Sequence, residues 1–161
     1  MINNKILIRK VEKRDCKDLF EWRNHISSRR QCFNLDIISW DNHVRWFDKI
    51  INDSYVLIYI FEFEDNHKLG HVRFDIKNNM VVISIIMNPF YTGMGLGNKI
   101  IKFGTIQFFT EFPSVNKIYA KILNSNVISQ KSFDKAGYKL ANKDVRGLEL
   151  ILLYYIEREV E

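Results

Sequence analysis

Apolar and polar positions alternate in steps of two over residues 55–62 and 69–76, and in steps of three to four over 15–24 and 39–51. The first period puts successive side chains on opposite faces of a strand. The second lines one face of a helix. Residues 5–9 (KILIR) add a short first strand. Asp15 is placed to cap a first helix, in which Cys16, Leu19, Phe20 and Arg23 share a face. Residues 27–38 read as polar and irregular. Ser39 caps a second helix with a core stripe of Trp40, Val44, Phe47 and Ile51. His43 falls at the edge of that stripe, and Trp46 lies one turn on.

The strand over 69–76 turns Val72, Phe74 and Ile76 one way and His71, Arg73 and Asp75 the other. Asp65-Asn66 and Asn78-Asn79 make the turns on either side of it. A branched run, Val81, Val82, Ile83, Ile85 and Ile86, predicts a buried strand that stops at Pro89, which has no N–H to donate. A helix over 97–109, a strand over 117–123 and a helix over 127–136 ended by Gly137 follow. Residues 138–141 and 148–156 close the chain as two strands. The order is β-α-α-β-β-β-α-β-α-β-β. Tight turns make the first half antiparallel, and helical crossovers make the later strands locally parallel.

Between the buried strand and its helix lies Thr92-Gly93-Met94-Gly95-Leu96-Gly97-Asn98. Glycines let the backbone approach a ligand and take positive φ. The helix that follows offers unpaired N–H groups and a positive dipole end, which suits a pyrophosphate. No Gly-Lys-Ser/Thr is present, so this is not a P-loop. The G-x-G-x-G spacing and its late place in the chain fit a dinucleotide fold poorly.

At 161 residues the chain suits one domain over 1–161 with a full core. Its net charge of +5 is spread rather than blocked, which favours an anionic small molecule over nucleic acid. Cys16 and Cys32 lack metal-ligand spacing and read as reduced thiols of a cytoplasmic protein. No leader or long apolar run appears, so neither a membrane nor a metal is expected.

The glycine loop, together with Asn126-x-x-Ser129-x-x-x-Phe133-x-x-x-Gly137-Tyr138, resembles the Gcn5-related N-acetyltransferase (GNAT) superfamily. That resemblance spans nearly the whole chain. It implies an α/β (α+β) fold with a mixed sheet of about seven strands and about four helices. It also implies acetyl-CoA as donor, with direct attack by a substrate amine on the thioester. Cofactor contacts would come from Ile86, Met87, Thr92, Gly93, Met94, Gly95, Leu96, Gly97, Asn98, Asn126, Ser129 and Phe133. Thr92 departs from the family's usual Arg or Gln. Phe133 stands where many members carry a proton-donating tyrosine.

For catalysis, the resemblance places a backbone donor for the thioester oxygen near Met87. The central strand lacks the usual glutamate. Ser84, through a water, and His71 are the base candidates, each open to a purely structural role. The pattern around Trp22, Arg30, Asn34, His43, Trp46, Arg73 and Asp75 resembles a branch acting on nucleotide-linked amino-deoxy sugars. A diphosphate would meet Arg29, Arg30 or Arg73. The alternatives are a protein N-terminal acetyltransferase, favoured by an open groove with acidic walls, and a non-catalytic acyl-CoA-binding module. The family resemblance also implies a homodimer through the apolar strand at 148–156, which could equally be ordinary core.

Overall fold

The alternating stretches form a seven-stranded sheet in a computed structural model that describes residues 5–159. The strands are β1 (Ile6–Lys10), β2 (Val56–Phe63), β3 (Lys68–Lys77), β4 (Met80–Met87), β5 (Lys117–Leu123), β6 (Lys139–Arg146) and β7 (Glu149–Glu157). The helices are α1 (Cys16–Asn24), α2 (Ile26–Arg29), α3 (Trp40–Ile50), α4 (Gly97–Glu111) and α5 (Val127–Lys135). Sheet order is β1-β2-β3-β4-β5-β7-β6. This is the mixed α/β architecture expected, with a fifth helix, because α2 forms inside the stretch expected to be irregular.

Among the described residues only β4 and β5 pair in parallel, at Val82↔Tyr119 and Ile83↔Ala120. The later strands are otherwise antiparallel, because β7 inserts between β5 and β6. β6 is also longer than the short strand expected, since its hairpin partner β7 extends the ladder to Arg146↔Glu149.

Strand alternation divides the core into two layers. Tyr59, Phe61, Val72, Phe74 and Ile83 face α4, where Ile100, Ile101 and Phe108 close over them. Phe74 stacks on Phe108 at 4.3 Å between ring centres. Gly104 lets α4 come down on the sheet, since a Cβ there would lie 2.6 Å from Val72 Cγ2. On the other face, Leu19, Trp22, Phe47 and Ile50 cover Ile58 and Ile60. Each such large side chain fully buried contributes about 1.5–3 kcal/mol.

The stripe of α3 is rotated by one position from the one expected. Its buried residues are His43, Phe47 and Ile50, whereas Trp40 is 46% exposed. Trp40 lies on the rim, edge-on to Phe20 and stacked on His43. Trp22 is core. Asp15 does not cap α1 through its side chain. Its fully buried carboxylate instead accepts from Arg9 (2.7 and 2.9 Å), from Lys68 (2.8 Å) and from the Glu12 N–H (2.8 Å). Arg9 also reaches Glu62, so β1, α1, β2 and β3 are joined by one ion cluster.

Candidate active site

The end of β4 is held open by a short chain of contacts. Asn88 donates its N–H to Leu69 O (2.8 Å) and its Nδ2 to Lys68 O (2.7 Å), and its Oδ1 accepts from the Phe90 N–H. Alternation along the strand then turns the N–H groups of Met87 and Ile85 the opposite way, toward β5. Pairing with β5 ends at Ile83, so a cleft opens beside those amides. Gly70, opposite Met87, makes the close approach there, because a Cβ would lie 2.5 Å from Ile86 O.

The glycine loop lies just beyond. Gly93 (φ +81°) and Gly95 (φ +72°) adopt the left-handed region, and an added Cβ at either would meet no atom of the protein within 4 Å. No side chain among the described residues caps the first turn of α4. Asn98 Oδ1 is buried without a partner among the described residues. Asn126 caps α5 by accepting from Ser129 N (3.0 Å) and donates to Gln31 O (3.4 Å). Phe133 is not presented to the cleft as an acid would have to be. It is buried and meets the Tyr138 ring edge-on at 5.0 Å. Burial raises the Tyr138 hydroxyl pKa, and that hydroxyl is paired with Thr105 Oγ1 at 2.8 Å.

On the opposite face of the sheet, α1, α3 and the segment after α2 enclose a cavity of about 370 Å³ against β3 and β4. Leu19, Ile38 and Ile86 supply apolar walls, and Arg23, His43, Trp46, His71, Arg73 and Ser84 supply the rest. Cross-strand register explains the grouping, since Arg73 lies opposite Ser84 and His71 opposite Ile86. Arg73 Nε donates to Asp75 (3.0 Å), and its guanidinium sits 5.4 Å over the Trp46 ring. Ser84 is exposed to the cavity rather than packed away.

His43 donates Nε2–H to Cys16 O at 2.8 Å, which leaves its Nδ1 as an acceptor, and burial lowers its pKa. His71 is buried rather than exposed, stacked on Trp22, with Nδ1 unpartnered among the described residues. Burial first, and the Arg73 charge second, push its pKa down to about 3. His71 is therefore neutral at pH 7 and a poor acceptor for an ammonium proton.

Of the substrate residues expected, the cavity gathers His43, Trp46 and Arg73, with Asp75 orienting Arg73. Arg30 and Asn34 are exposed and lie outside the lining. Arg23, which the sequence placed only on the helix face shared with Leu19, also lines the cavity. No ion pair engages it among the described residues; Nη2 donates to Asn34 O at 2.7 Å, and Nη1 is buried without a partner. Its place on the buried face of α1 was the available signal.

Residues 5–139 match the family described as acetyltransferase (GNAT) domain. The chain belongs to the GNAT acetyltransferase family. Solved structures agree with the fold. Spermidine N-acetyltransferase from Vibrio cholerae, in complex with CoA and spermine, is 19% identical, with a TM-score of 0.83 over 94% of this chain and 95% of that one. A domain from Methanocaldococcus jannaschii is 23% identical, with a TM-score of 0.80 over 97% and 100%. Aminoglycoside acetyltransferase AAC(6')-Ib with coenzyme A is 15% identical, with a TM-score of 0.81 over 96% and 95%. No curated protein sequence matches the chain.

The GNAT donor, acetyl-CoA, fits the residues present. The residues that would hold its pyrophosphate through backbone amides are Gly93 and Gly95, beside open space, and the uncapped first turn of α4. When bound, acetyl-CoA supplies the activated acetyl group. The chain is thus an acetyl-CoA-dependent N-acetyltransferase. No helix among the described residues is long and apolar enough to cross a membrane.

Proposed function

We propose that this GNAT enzyme acetylates the amino group of a nucleotide-linked amino-deoxy sugar. The observation that carries the reading is the lining of the cavity, which holds two arginines and two neutral histidines and no carboxylate. A diphosphate is matched by that charge, and the Trp46 face beside Arg73 offers a flat surface for a sugar or base. A peptide N-terminus would instead call for acidic walls. Spermine, bound by the Vibrio cholerae structure, is a polycation that the Arg23 guanidinium, without an ion-pair partner among the described residues, would repel.

In this reading the amine enters from the cavity and acetyl-CoA would be held in the β4/β5 cleft, so that the two meet at the end of β4. The Met87 N–H donates to the thioester oxygen as it gains charge. Ser84 holds a water that carries the ammonium proton away, since only a neutral amine attacks. His71, neutral throughout, offers Nδ1 as a hydrogen-bond acceptor and helps to fix the acceptor's orientation. Because Phe133 cannot donate and Tyr138 is engaged by Thr105, the departing thiolate takes its proton from solvent. β7 lies between β5 and β6 with Ile151, Leu152 and Tyr154 buried, so the strand expected to pair protomers is an interior strand of the sheet.

CoA-thiol release tests the substrate class. The panel holds a UDP-linked 4-amino-dideoxy sugar, spermidine, an aminoglycoside and a peptide with a free N-terminus. Turnover on the sugar nucleotide in preference to the rest is expected. Turnover confined to spermidine, the aminoglycoside or the peptide would contradict the proposal.

A further inference from the structure

Arg23 is the group in the cavity that acetyl transfer leaves without a role. It lies in the last turn of α1 and lines the cavity. Nη2 is used on Asn34 O, while Nη1 is buried with no partner among the described residues. Arg73, the other cation of the wall, is already matched by Asp75. Arg23 has no such match. A guanidinium keeps its charge at every working pH, and a buried donor without an acceptor is costly. An anion brought in by a ligand supplies the missing counter-charge through a charge-assisted bond.

We propose that Arg23 reads an anionic group carried by the acceptor through the guanidinium it presents to the cavity wall, so that the enzyme selects amines bearing a phosphate or carboxylate and rejects polycationic ones. This rests on the reading that the acceptor occupies the cavity. The adjoining segment does not depend on Arg23 alone. Asn24 bonds both backbone groups of Ile38 (2.8 and 2.9 Å), and Arg29 Nη1 donates to Leu35 O (3.0 Å). A substitution at Arg23 therefore removes the charge while two other fastenings hold the segment.

Tryptophan fluorescence reads the cavity through Trp46. The protein is titrated with inorganic pyrophosphate, phosphate and acetate, with saturating CoA occupying the glycine loop. A saturable signal is expected for at least one anion, weakened by about tenfold or more in Arg23→Gln. Preference for the phosphates assigns a phosphoryl group, and preference for acetate assigns a carboxylate. Absence of a saturable signal, or equal affinity in Arg23→Gln, overturns the proposal. In turnover, Arg23→Gln is expected to raise KM about tenfold for acceptors that carry the anion and to leave an amine without one within about twofold. Equal loss for both would make Arg23 a packing residue of the loop and overturn the proposal. The titration needs no turnover, so a failed sugar-nucleotide assay does not decide it.

Discussion

Asp15→Asn removes the anion from a buried cluster while changing almost no volume. The carboxylate is fully buried and receives two bonds from Arg9, one from Lys68 and one from the Glu12 amide. Those donors, Arg9 foremost, outweigh the cost of burial and lower its pKa from 3.8 to about 2. That depression alone corresponds to about 2 kcal/mol in favour of the ionised fold. Breaking a buried pair by removing one partner typically costs about 3–5 kcal/mol. Here Arg9 keeps Glu62 and Lys68 keeps Asp18, which favours the lower end. A loss of about 3 kcal/mol at pH 7 is therefore expected, or roughly 6–12 °C in Tm for a chain of this size. The sign with pH follows from the lowered folded-state pKa. Stability from Asp15 is fully present above the unfolded value near 3.8 and is lost as pH falls toward 2. Urea unfolding of wild type and variant across pH 7 to 2.5 checks this through the difference between the two curves, which should shrink below about pH 4. A difference under about 0.5 kcal/mol at pH 7, or one that does not change with pH, would refute the reasoning.

Gly95→Val puts a branched side chain at φ +72°, into space that no protein atom occupies. It should cost about 1–2 kcal/mol of stability and lower acetyl-CoA affinity more than about tenfold by calorimetry, whereas unchanged affinity would remove the loop from the donor site. Gly104→Ala brings a Cβ to 2.6 Å from Val72 Cγ2 and should cost about 1–3 kcal/mol in denaturant titration. His71 ring resonances should show no titration between about pH 8 and 5 in the folded protein. Its folded-state pKa of about 3 lies below the unfolded 6.5, so its contribution to stability is full above 6.5 and falls away toward pH 3. A midpoint near 6.5 would place the ring in water and reopen it as a base.

Local periodicity made most of the fold legible. Alternation in β2, β3 and β4 placed Val72 and Phe74 on one face and His71 and Arg73 on the other, and both glycine-loop and Asn126 motifs lie where the spacing put them. The Trp40 stripe failed because ranking by side-chain hydrophobicity put the tryptophan in the core and the histidine at its edge. The fold reverses them, since His43 can satisfy Nε2 on Cys16 O while Trp40 rests on Phe20 at the rim. Asp15 read as a cap because its partners Arg9 and Lys68 are brought in by tertiary structure. Arg23 was not singled out for the converse reason. Its distinguishing property is a missing partner, and a sequence shows residues but not what they fail to touch.

The central claim is met most directly by mass spectrometry of the acceptor after incubation with acetyl-CoA and the UDP-linked 4-amino-dideoxy sugar. The account predicts a single added acetyl group on the amino nitrogen, formed by the wild type and suppressed in Gly95→Val. An unmodified sugar nucleotide, beside a spermidine or peptide control that does gain an acetyl group, would contradict it.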